Sequence, residues 1–266
     1  MLTQEQITEA ANRLYEAEKA QQQITALTMS HDMDMDDAYA VQKAWVDRKV
    51  ADGAKVVGYK IGLTSRAMQM AVNIDQPDYG VLLDDMVFAN NSQIRANDFT
   101  DPRIETEFAF VLKKPLSGAH VSLDQVLDAT DYVVPALELI AARSFRTDPK
   151  TGYTRKVFDT IADNAANAGI IVGDTRVKPQ DIDLRWAGAL LYLNGQIEET
   201  GLAAGVLDHP GHGISWICKR FAPHGIVLEP GQLLLSGSFT RPVVVTPGDH
   251  IRADYGSLGE INIDFV

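Results

Sequence analysis

Hydrophobic and polar positions recur with two different spacings along this chain, and the change falls near residue 55. Before it, apolar residues return every three to four positions, which is the spacing of one buried helix face. This spacing predicts a helix from Thr3 to about residue 22 and a second helix that begins near Asp34. After it, short apolar runs bounded by Gly, Pro and Asn-Gly turns indicate strands. We therefore expect an N-terminal helical region at 1–54 and a catalytic β-rich domain at 55–266.

The β-rich region does not alternate regularly between strands and helices. Short helices are predicted at 65–71, 122–128, 159–168 and 214–221, and a turn is predicted at 77–80. Predicted strands fill most of the remainder, at 55–64, 81–83, 103–112, 132–140, 169–173, 184–192, 232–236, 243–245, 251–255 and 261–266. This order argues against a doubly wound parallel sheet. It favours an α+β fold with a rolled, mixed β-sheet core and an N-terminal helical cap.

Two glutamates interrupt the apolar pattern of the predicted strand 103–112. Side chains alternate between the faces of a strand, so Glu105 and Glu107 point the same way, about 7 Å apart. A second apolar strand carries Glu138. Carboxylates in apolar strands are costly to desolvate unless a positive group lies between them. Oxygen ligands of this kind suit Mg²⁺. The alternative is that they face solvent or pair with Arg103 and Arg143, and the pattern alone leaves both open.

Two further residues are candidates for acid–base chemistry. Lys60 lies in an apolar strand, where desolvation would lower the pKa of its ammonium unless an acid is near. It could neutralise an anionic oxygen or transfer a proton, although a solvated strand lysine has the same pattern. Asp78 stands in a Pro-Asp-Tyr-Gly turn, and turn aspartates usually bond to their own backbone.

Composition and charge narrow the class of protein. The net charge is −12, which argues against nucleic acid or an anionic membrane as a partner. Cys218 is the only cysteine, so an intrachain disulfide is impossible, and its apolar neighbours predict a buried thiol. The first residues show neither a secretory signal nor a membrane-spanning run, so we expect a cytoplasmic protein. No P-loop, Gly-x-Ser-x-Gly or Gly-x-Gly-x-x-Gly motif is present.

Several segments together carry a family resemblance. In chain order they are residues 58–65 (GYKIGLTS), 75–80 (DQPDYG), 103–107 (RIETE), 134–138 (VPALE), 155–160 (RKVFDT), 163–169 (DNAANAG) and 237–242 (GSFTRP). This ordered set resembles the hydratase/decarboxylase branch of the fumarylacetoacetate hydrolase superfamily, whose members act in the meta-cleavage of aromatic compounds. The last three segments are most similar to members that act on a dicarboxylate.

The resemblance implies a site and a reaction. It implies Mg²⁺, with Mn²⁺ possible, held by Glu105, Glu107 and Glu138, and it implies Lys60 and Asp78 as acid–base residues. Substrate carboxylates are expected to meet Ser238, at the end of a strand, and the basic residues Arg155, Lys156 and Arg241. The implied enzyme is a homo-oligomeric hydro-lyase that adds water to a seven-carbon 2-oxo-enoic (2-hydroxydienoic) diacid, giving a 4-hydroxy-2-oxo diacid.

Other activities share the same pattern. A hydratase of a five-carbon 2-hydroxydienoate, or a decarboxylase of an unsaturated 2-oxo diacid, would use the same metal ligands. A carbon–carbon hydrolase would need a His–Glu pair, and none is evident. A non-catalytic helper subunit would lack a ligand, whereas all three glutamates and Lys60 are present.

Overall fold

The computed structural model describes residues 1–266, apart from the side chain of Ala71. Short 3₁₀ turns separate many of the regular elements. The helices are α1 (Gln4–Ala20), α2 (Met35–Ala51), α3 (Arg66–Ala71), α4 (Leu123–Ala129), α5 (Val157–Ala162) and α6 (Gly211–Phe221). The strands are β1 (Val56–Gly62), β2 (Asp78–Leu83), β3 (Val87–Ala89), β4 (Ser92–Ile94), β5 (Arg103–Leu112), β6 (Thr130–Ile140), β7 (Asn167–Val172), β8 (Gly188–Leu193), β9 (Gln196–Leu202), β10 (Leu233–Leu235), β11 (Val243–Val244), β12 (His250–Asp254) and β13 (Glu260–Phe265).

The N-terminal cap consists of two helices that begin where the sequence predicts. Thr3 and Gln6 form a reciprocal capping box at the start of α1, and Asp34 forms one with Asp37 at the start of α2. Each box satisfies backbone N–H groups that the first helical turn would leave free. Leu14 and Trp45 are almost completely buried between these helices and the β-rich region. The predicted helical cap is confirmed.

The β-rich region is built from two mixed sheets. The larger has eight strands in the order β2-β1-β10-β5-β6-β7-β3, with β11 pairing alongside β5. The smaller has five strands in the order β4-β13-β12-β8-β9. Parallel pairs, such as β1 with β10, occur beside antiparallel ones, such as β5 with β6. The α+β class with a mixed β core is therefore confirmed.

The main core lies against one face of the large sheet. Phe108, Phe110 and Leu137 project from β5 and β6 into a buried cluster that also contains Ile251 and Ile261 from the small sheet. Burying an aromatic or branched aliphatic side chain contributes about 1.5–3 kcal/mol to stability. The opposite face, which carries the glutamates, is also closed further along β5 and β6 by a smaller apolar cluster that includes Ala109 and Val134. The two long central strands are thus packed on both faces.

Two predicted elements differ from the structure. The helix predicted at 159–168 is confirmed only at its start, because α5 ends at Ala162 and residues 164–166 have positive φ angles of 51°, 51° and 58°. The strand predicted from residue 184 begins only at Gly188, after a turn that contains Trp186. The Asn194-Gly195 hairpin between β8 and β9 is confirmed.

No helix in the described part of the chain is both long enough and apolar enough to span a membrane.

Candidate active site

Three glutamates meet where β5 and β6 lie side by side. Glu105 pairs directly with Glu138 in the antiparallel register, and Glu107 follows two residues along β5 on the same face. One carboxylate oxygen from each residue lies within 4.8 Å of the others. Glu107 and Glu138 are 1% exposed, and Glu105 is partly buried. The sequence pattern placed the first two on one face, and the strand register brings in the third.

The electrostatics of this cluster favour a cation. Burial raises the pKa of Glu105 to about 8, with a further contribution from the charge of Glu138. Burial and the neighbouring carboxylates of Glu138 and Glu105 raise the pKa of Glu107 well above its ordinary value. Burial likewise raises the pKa of Glu138. Each carboxylate therefore lacks sufficient positive charge nearby when it is ionised.

Lys60 supplies the nearest positive charge. Its side chain is 6% exposed, and its Nζ lies 3.3 Å from Oε1 of Glu138, although β10 and β5 separate their two strands. Burial acts to lower the pKa of Lys60, but the negative charges of Glu138, Asp78, Glu105 and Glu107 outweigh it and leave that pKa raised. The alternative of a solvated strand lysine is wrong.

Asp78 lies beside Lys60, and its predicted turn is wrong. The strand β2 begins at this residue, and Asp78 pairs with Gly62 of β1 in an antiparallel register. Its carboxyl group is buried, and Oδ1 has no hydrogen-bond partner among the described residues. Burial raises the pKa of Asp78, while the charge of Lys60 opposes that rise. A side chain on Gly62 would meet Asp78 Oδ1 at 2.3 Å, so the glycine makes this approach possible.

The three glutamates fit a hard divalent cation. One ammonium faces four carboxyl groups, those of Glu105, Glu107, Glu138 and Asp78, so the site carries excess negative charge when they ionise. Oε1 of Glu138 accepts no well-aligned hydrogen bond from a described residue. One oxygen from each carboxylate lies within 4.8 Å of the others, so a single cation can be reached by all three. The donor set is all oxygen, which suits Mg²⁺ or Mn²⁺.

Arg103 and Arg143 form ion pairs with other acids and not with these carboxylates. Arg103 pairs with Asp101 at 3.2 Å. Arg143 is buried and pairs with Asp163 at 3.2 Å and with Glu18 at 3.1 Å. The alternative that Arg103 and Arg143 neutralise the glutamates is therefore wrong.

A cleft of about 610 Å³ opens over the carboxylates and gathers most of the predicted site residues. Ser238, Arg155 and Lys156 line it. The Ser238 hydroxyl donates to the carbonyl of Thr240 at 2.8 Å, so it is engaged with the backbone. Arg241 lies at the rim, where it is 82% exposed and paired with Glu199 at 2.5 Å.

One wall of the cleft is a left-handed turn that sequence reasoning missed. Ala165 and Ala166 line the cleft within the run of positive φ angles that follows α5. Each such residue costs roughly 1–2 kcal/mol in a left-handed conformation. The buried Asn164 holds the turn, because its side chain accepts from Val81 N at 2.7 Å and donates to Val81 O at 3.0 Å. Alanine gives no local signal for such a turn.

Arg146 is a second residue that the sequence interpretation missed. It lines the cleft beside Arg155 and pairs with Asp101 through Nε at 2.5 Å. The segment 143–156 is polar and shows neither a helical nor a strand spacing of apolar residues. Its Asp148-Pro149 pair and Gly152 are turn residues, and they could have indicated a hairpin that brings positions 146 and 155 together.

The fold and the carboxylate site define a family. Residues 62–266 match the model described as "Fumarylacetoacetate (FAA) hydrolase C-terminal". The chain belongs to the fumarylacetoacetate hydrolase family, and the resemblance seen in the sequence is confirmed.

Full-length relatives place the chain in the hydratase/decarboxylase branch of that family. It is 54% identical to a 2-oxo-hept-4-ene-1,7-dioate hydratase of Escherichia coli over 96% of both chains. It is 36% identical to a 2-keto-4-pentenoate hydratase of Paraburkholderia xenovorans, over 99% of this chain and 96% of the relative. Among solved structures, it is similar to a 4-oxalocrotonate decarboxylase of Pseudomonas putida G7 complexed with magnesium and adipate. The TM-score is 0.94 with 32% identity, over 100% of this chain and 99% of the other.

Proposed function

We propose that this protein is a divalent-metal-dependent hydro-lyase that adds water to 2-oxohept-4-ene-1,7-dioate, the keto form of a 2-hydroxydienedioate, and releases 4-hydroxy-2-oxoheptanedioate. The observation that carries the proposal is the buried Glu105, Glu107 and Glu138 cluster at one end of a cleft with basic residues along its wall. The 54% identity to a hydratase of this substrate supports the choice. The expected pathway is the catabolism of aromatic compounds.

Glu105, Glu107 and Glu138 would hold Mg²⁺, or Mn²⁺ in its place. When bound, the cation would act as a Lewis acid that stabilises negative charge on the 2-oxo acid end of the substrate. The neighbouring residues stabilise charge on the substrate and transfer its protons. Lys60 stands within 3.3 Å of Glu138, where its ammonium can stabilise negative charge that develops on the 2-oxo oxygen.

The proton transfers fall to Asp78. Its carboxyl group is buried, and burial raises its pKa above the ordinary value, so it can hold a proton and pass it on. It removes a proton from C3, which gives a dienolate, and returns that proton at C5, so the double bond moves to C3–C4. Water then adds at C4 as C3 receives a proton. The sum is one water molecule added to the substrate.

The rest of the chain shapes the cleft in this proposal. Residues 55–266 form the catalytic domain, and residues 1–54 form a cap against it. Arg155 and Lys156 provide positive charge for the second carboxylate of the substrate, and Ser238 shapes the end of the cleft. The decarboxylase alternative keeps the same ligands and differs in the bond that breaks.

Purified protein with and without Mg²⁺ should be assayed on five-, six- and seven-carbon 2-hydroxydienoates, with hydration followed by loss of the dienol absorbance. We expect turnover only with the divalent ion and the highest kcat/KM for the seven-carbon diacid. Carbon dioxide release should be measured in parallel on the six-carbon diacid 4-oxalocrotonate. Stoichiometric carbon dioxide without hydration would establish the decarboxylase instead, and full activity in excess chelator would contradict metal dependence.

We also propose that the protein is a cytoplasmic homo-oligomer. The support is a group of exposed apolar side chains on and beside the β8–β9 hairpin, Trp186, Ile197 and Leu202, which are 70%, 54% and 45% exposed. Large exposed apolar groups are typical of interaction surfaces. Light scattering on the purified protein tests this, and a monomer mass at micromolar concentration would contradict it.

A further inference from the structure

Arg146 and Arg155 face each other across a short hairpin at the wall of the cleft. The backbone N–H of Arg155 donates to the carbonyl of Arg146 at 3.0 Å, and Thr147 pairs with Thr154 one step further along. The turn is closed by Asp148, whose carboxylate accepts from the backbone N–H groups of residues 150 and 151. Both arginine side chains line the cleft. The hairpin therefore fixes two guanidinium groups as direct cross-strand neighbours.

Like charges opposite each other destabilise a strand pair, and here the neighbouring acids compensate them only partly. Arg155 is 7% exposed, yet its Nη1 lies 3.8 Å from Asp163 Oδ2 and 3.5 Å from the carbonyl of Ser144. Asp163 is already bound to Arg143. Burial and the charge of Arg146 lower the pKa of Arg155 to about 10.

Arg146 has a hydrogen-bond donor without an acceptor. Its Nε is bound to Asp101, but Nη2 is buried and has no hydrogen-bond partner among the described residues. An unsatisfied buried guanidinium N–H is costly. The planar fork of an arginine matches a carboxylate, which can accept two parallel hydrogen bonds. The two arginines could therefore bind one further carboxylate.

The arginine pair and the glutamates occupy the same cleft without contacting one another. Within the described residues, neither arginine forms an ion pair with Glu105, Glu107, Glu138 or Asp78, although all six residues line one cavity. A substrate whose 2-oxo acid end is held by a cation at the glutamates would therefore place its other end in the part of the cleft that the two guanidinium groups line.

We propose that Arg146 and Arg155 form a two-arginine clamp for the distal carboxylate of the substrate and thereby select dicarboxylates over monocarboxylates. This inference rests on the proposed function for the orientation of the substrate. A five-carbon monoacid would leave both guanidinium groups without their anion, whereas a seven-carbon diacid supplies it. Lys156 is exposed beside the pair and adds charge without a fixed geometry. Arg241 is not part of the clamp, because Glu199 already binds it at the rim.

The test compares Arg146→Gln and Arg155→Gln with the wild type on the seven-carbon diacid and the five-carbon monoacid. We expect the ratio of kcat/KM, diacid over monoacid, to fall at least tenfold in each variant, while kcat/KM for the monoacid stays within about threefold. Arg103→Gln is the matched control, since Arg103 also pairs with Asp101 but does not line the cleft. Its ratio should equal that of the wild type. Arg155→Lys, which keeps the charge but loses the fork, should give an intermediate ratio.

A binding measurement separates failure of the clamp from failure of the proposed reaction. Calorimetry with Mg²⁺-loaded protein should show that adipate binds at least tenfold more weakly to Arg146→Gln than to the wild type, with pentanoate binding unchanged. This result would support the clamp even if the protein hydrates none of the substrates. Equal losses on diacid and monoacid would overturn it, because the arginines would then act on the shared carboxylate or on folding. An unchanged ratio would overturn it as well.

Discussion

Replacing Glu107 with glutamine is expected to remove divalent-metal binding and turnover together while the fold stays intact. Glutamine has nearly the same shape, and its side-chain oxygen can still accept the hydrogen bond that Gly237 N donates to Glu107 at 2.9 Å. The charge, however, is lost from a carboxylate that is almost completely buried. Disturbing even the partners of metal ligands costs 10–100-fold in affinity or activity, so we expect losses of at least about 100-fold in Mg²⁺ affinity and kcat.

The thermal stability of the metal-free Glu107→Gln variant should not fall, in contrast to its metal affinity and turnover. Burial and two neighbouring carboxylates make the charged form of Glu107 unfavourable, and glutamine removes that charge. The Tm of the metal-free variant should therefore equal or exceed that of the wild type, while added Mg²⁺ should no longer raise it. Glu198→Gln, at an exposed position on β9, is the control for loss of a glutamate. Wild-type Mg²⁺ affinity in Glu107→Gln would show that these carboxylates are not the ligands.

Replacing Lys60 with methionine is expected to give the second large effect, on both rate and stability. Methionine keeps most of the length of the side chain but removes the only cation that lies within 4 Å of Glu138 among the described residues. Loss of a positioned acid or charge-stabilising group lowers rates by about 10²–10⁴-fold. Removing one partner of a buried ion pair costs about 3–5 kcal/mol. We expect kcat to fall within that range and the metal-free protein to melt at a lower temperature.

Adding Mg²⁺ separates the two effects. The ion can neutralise the carboxylates, so it should restore much of the lost stability, as a melting curve would record. It cannot replace the ammonium that Lys60 places beside the 2-oxo oxygen, so kcat should stay low. Lys55→Met, just before β1 and exposed, should change neither quantity. If Lys60→Met keeps kcat within tenfold of wild type at saturating Mg²⁺, Lys60 has no part in the chemistry.

The sequence predicted the parts of the site that depend on local periodicity. Alternation along one strand put Glu105 and Glu107 on a common face, and the helical spacing of apolar residues located both cap helices. Periodicity does not determine which strands become neighbours. Glu138 joined the site through family resemblance, and the pairing of β5 with β6 then explains why. The contact between Lys60 and Glu138 crosses two intervening strands, and no local pattern encodes it.

The sequence predictions that the structure contradicts also have specific physical causes. Pro77 and Gly80 are turn residues, but pairing with β1 extends β2 back to Asp78, so tertiary contacts overrode local preference. The predicted helix at 159–168 ends early because Asn164 binds the backbone of Val81 and holds the following alanines in a left-handed turn. Charged residues in a polar segment usually face water, and for that reason Arg146 was missed.

The glutamates stand on the two longest strands, ten and eleven residues, at the centre of the large sheet. Such central strands open to solvent only when the whole domain unfolds, so the proposed metal ligands cannot loosen independently of the rest of the domain. The Arg146–Arg155 hairpin belongs to the wall of the cleft and lies outside both sheets, so substitutions there leave the two central strands in place. An enzyme built in this way can therefore change the length of substrate that it accepts through substitutions in the hairpin. The glutamates on the central strands stay the same. The relatives named as hydratases of a five-carbon and of a seven-carbon acid fit this division between fixed central strands and a variable hairpin.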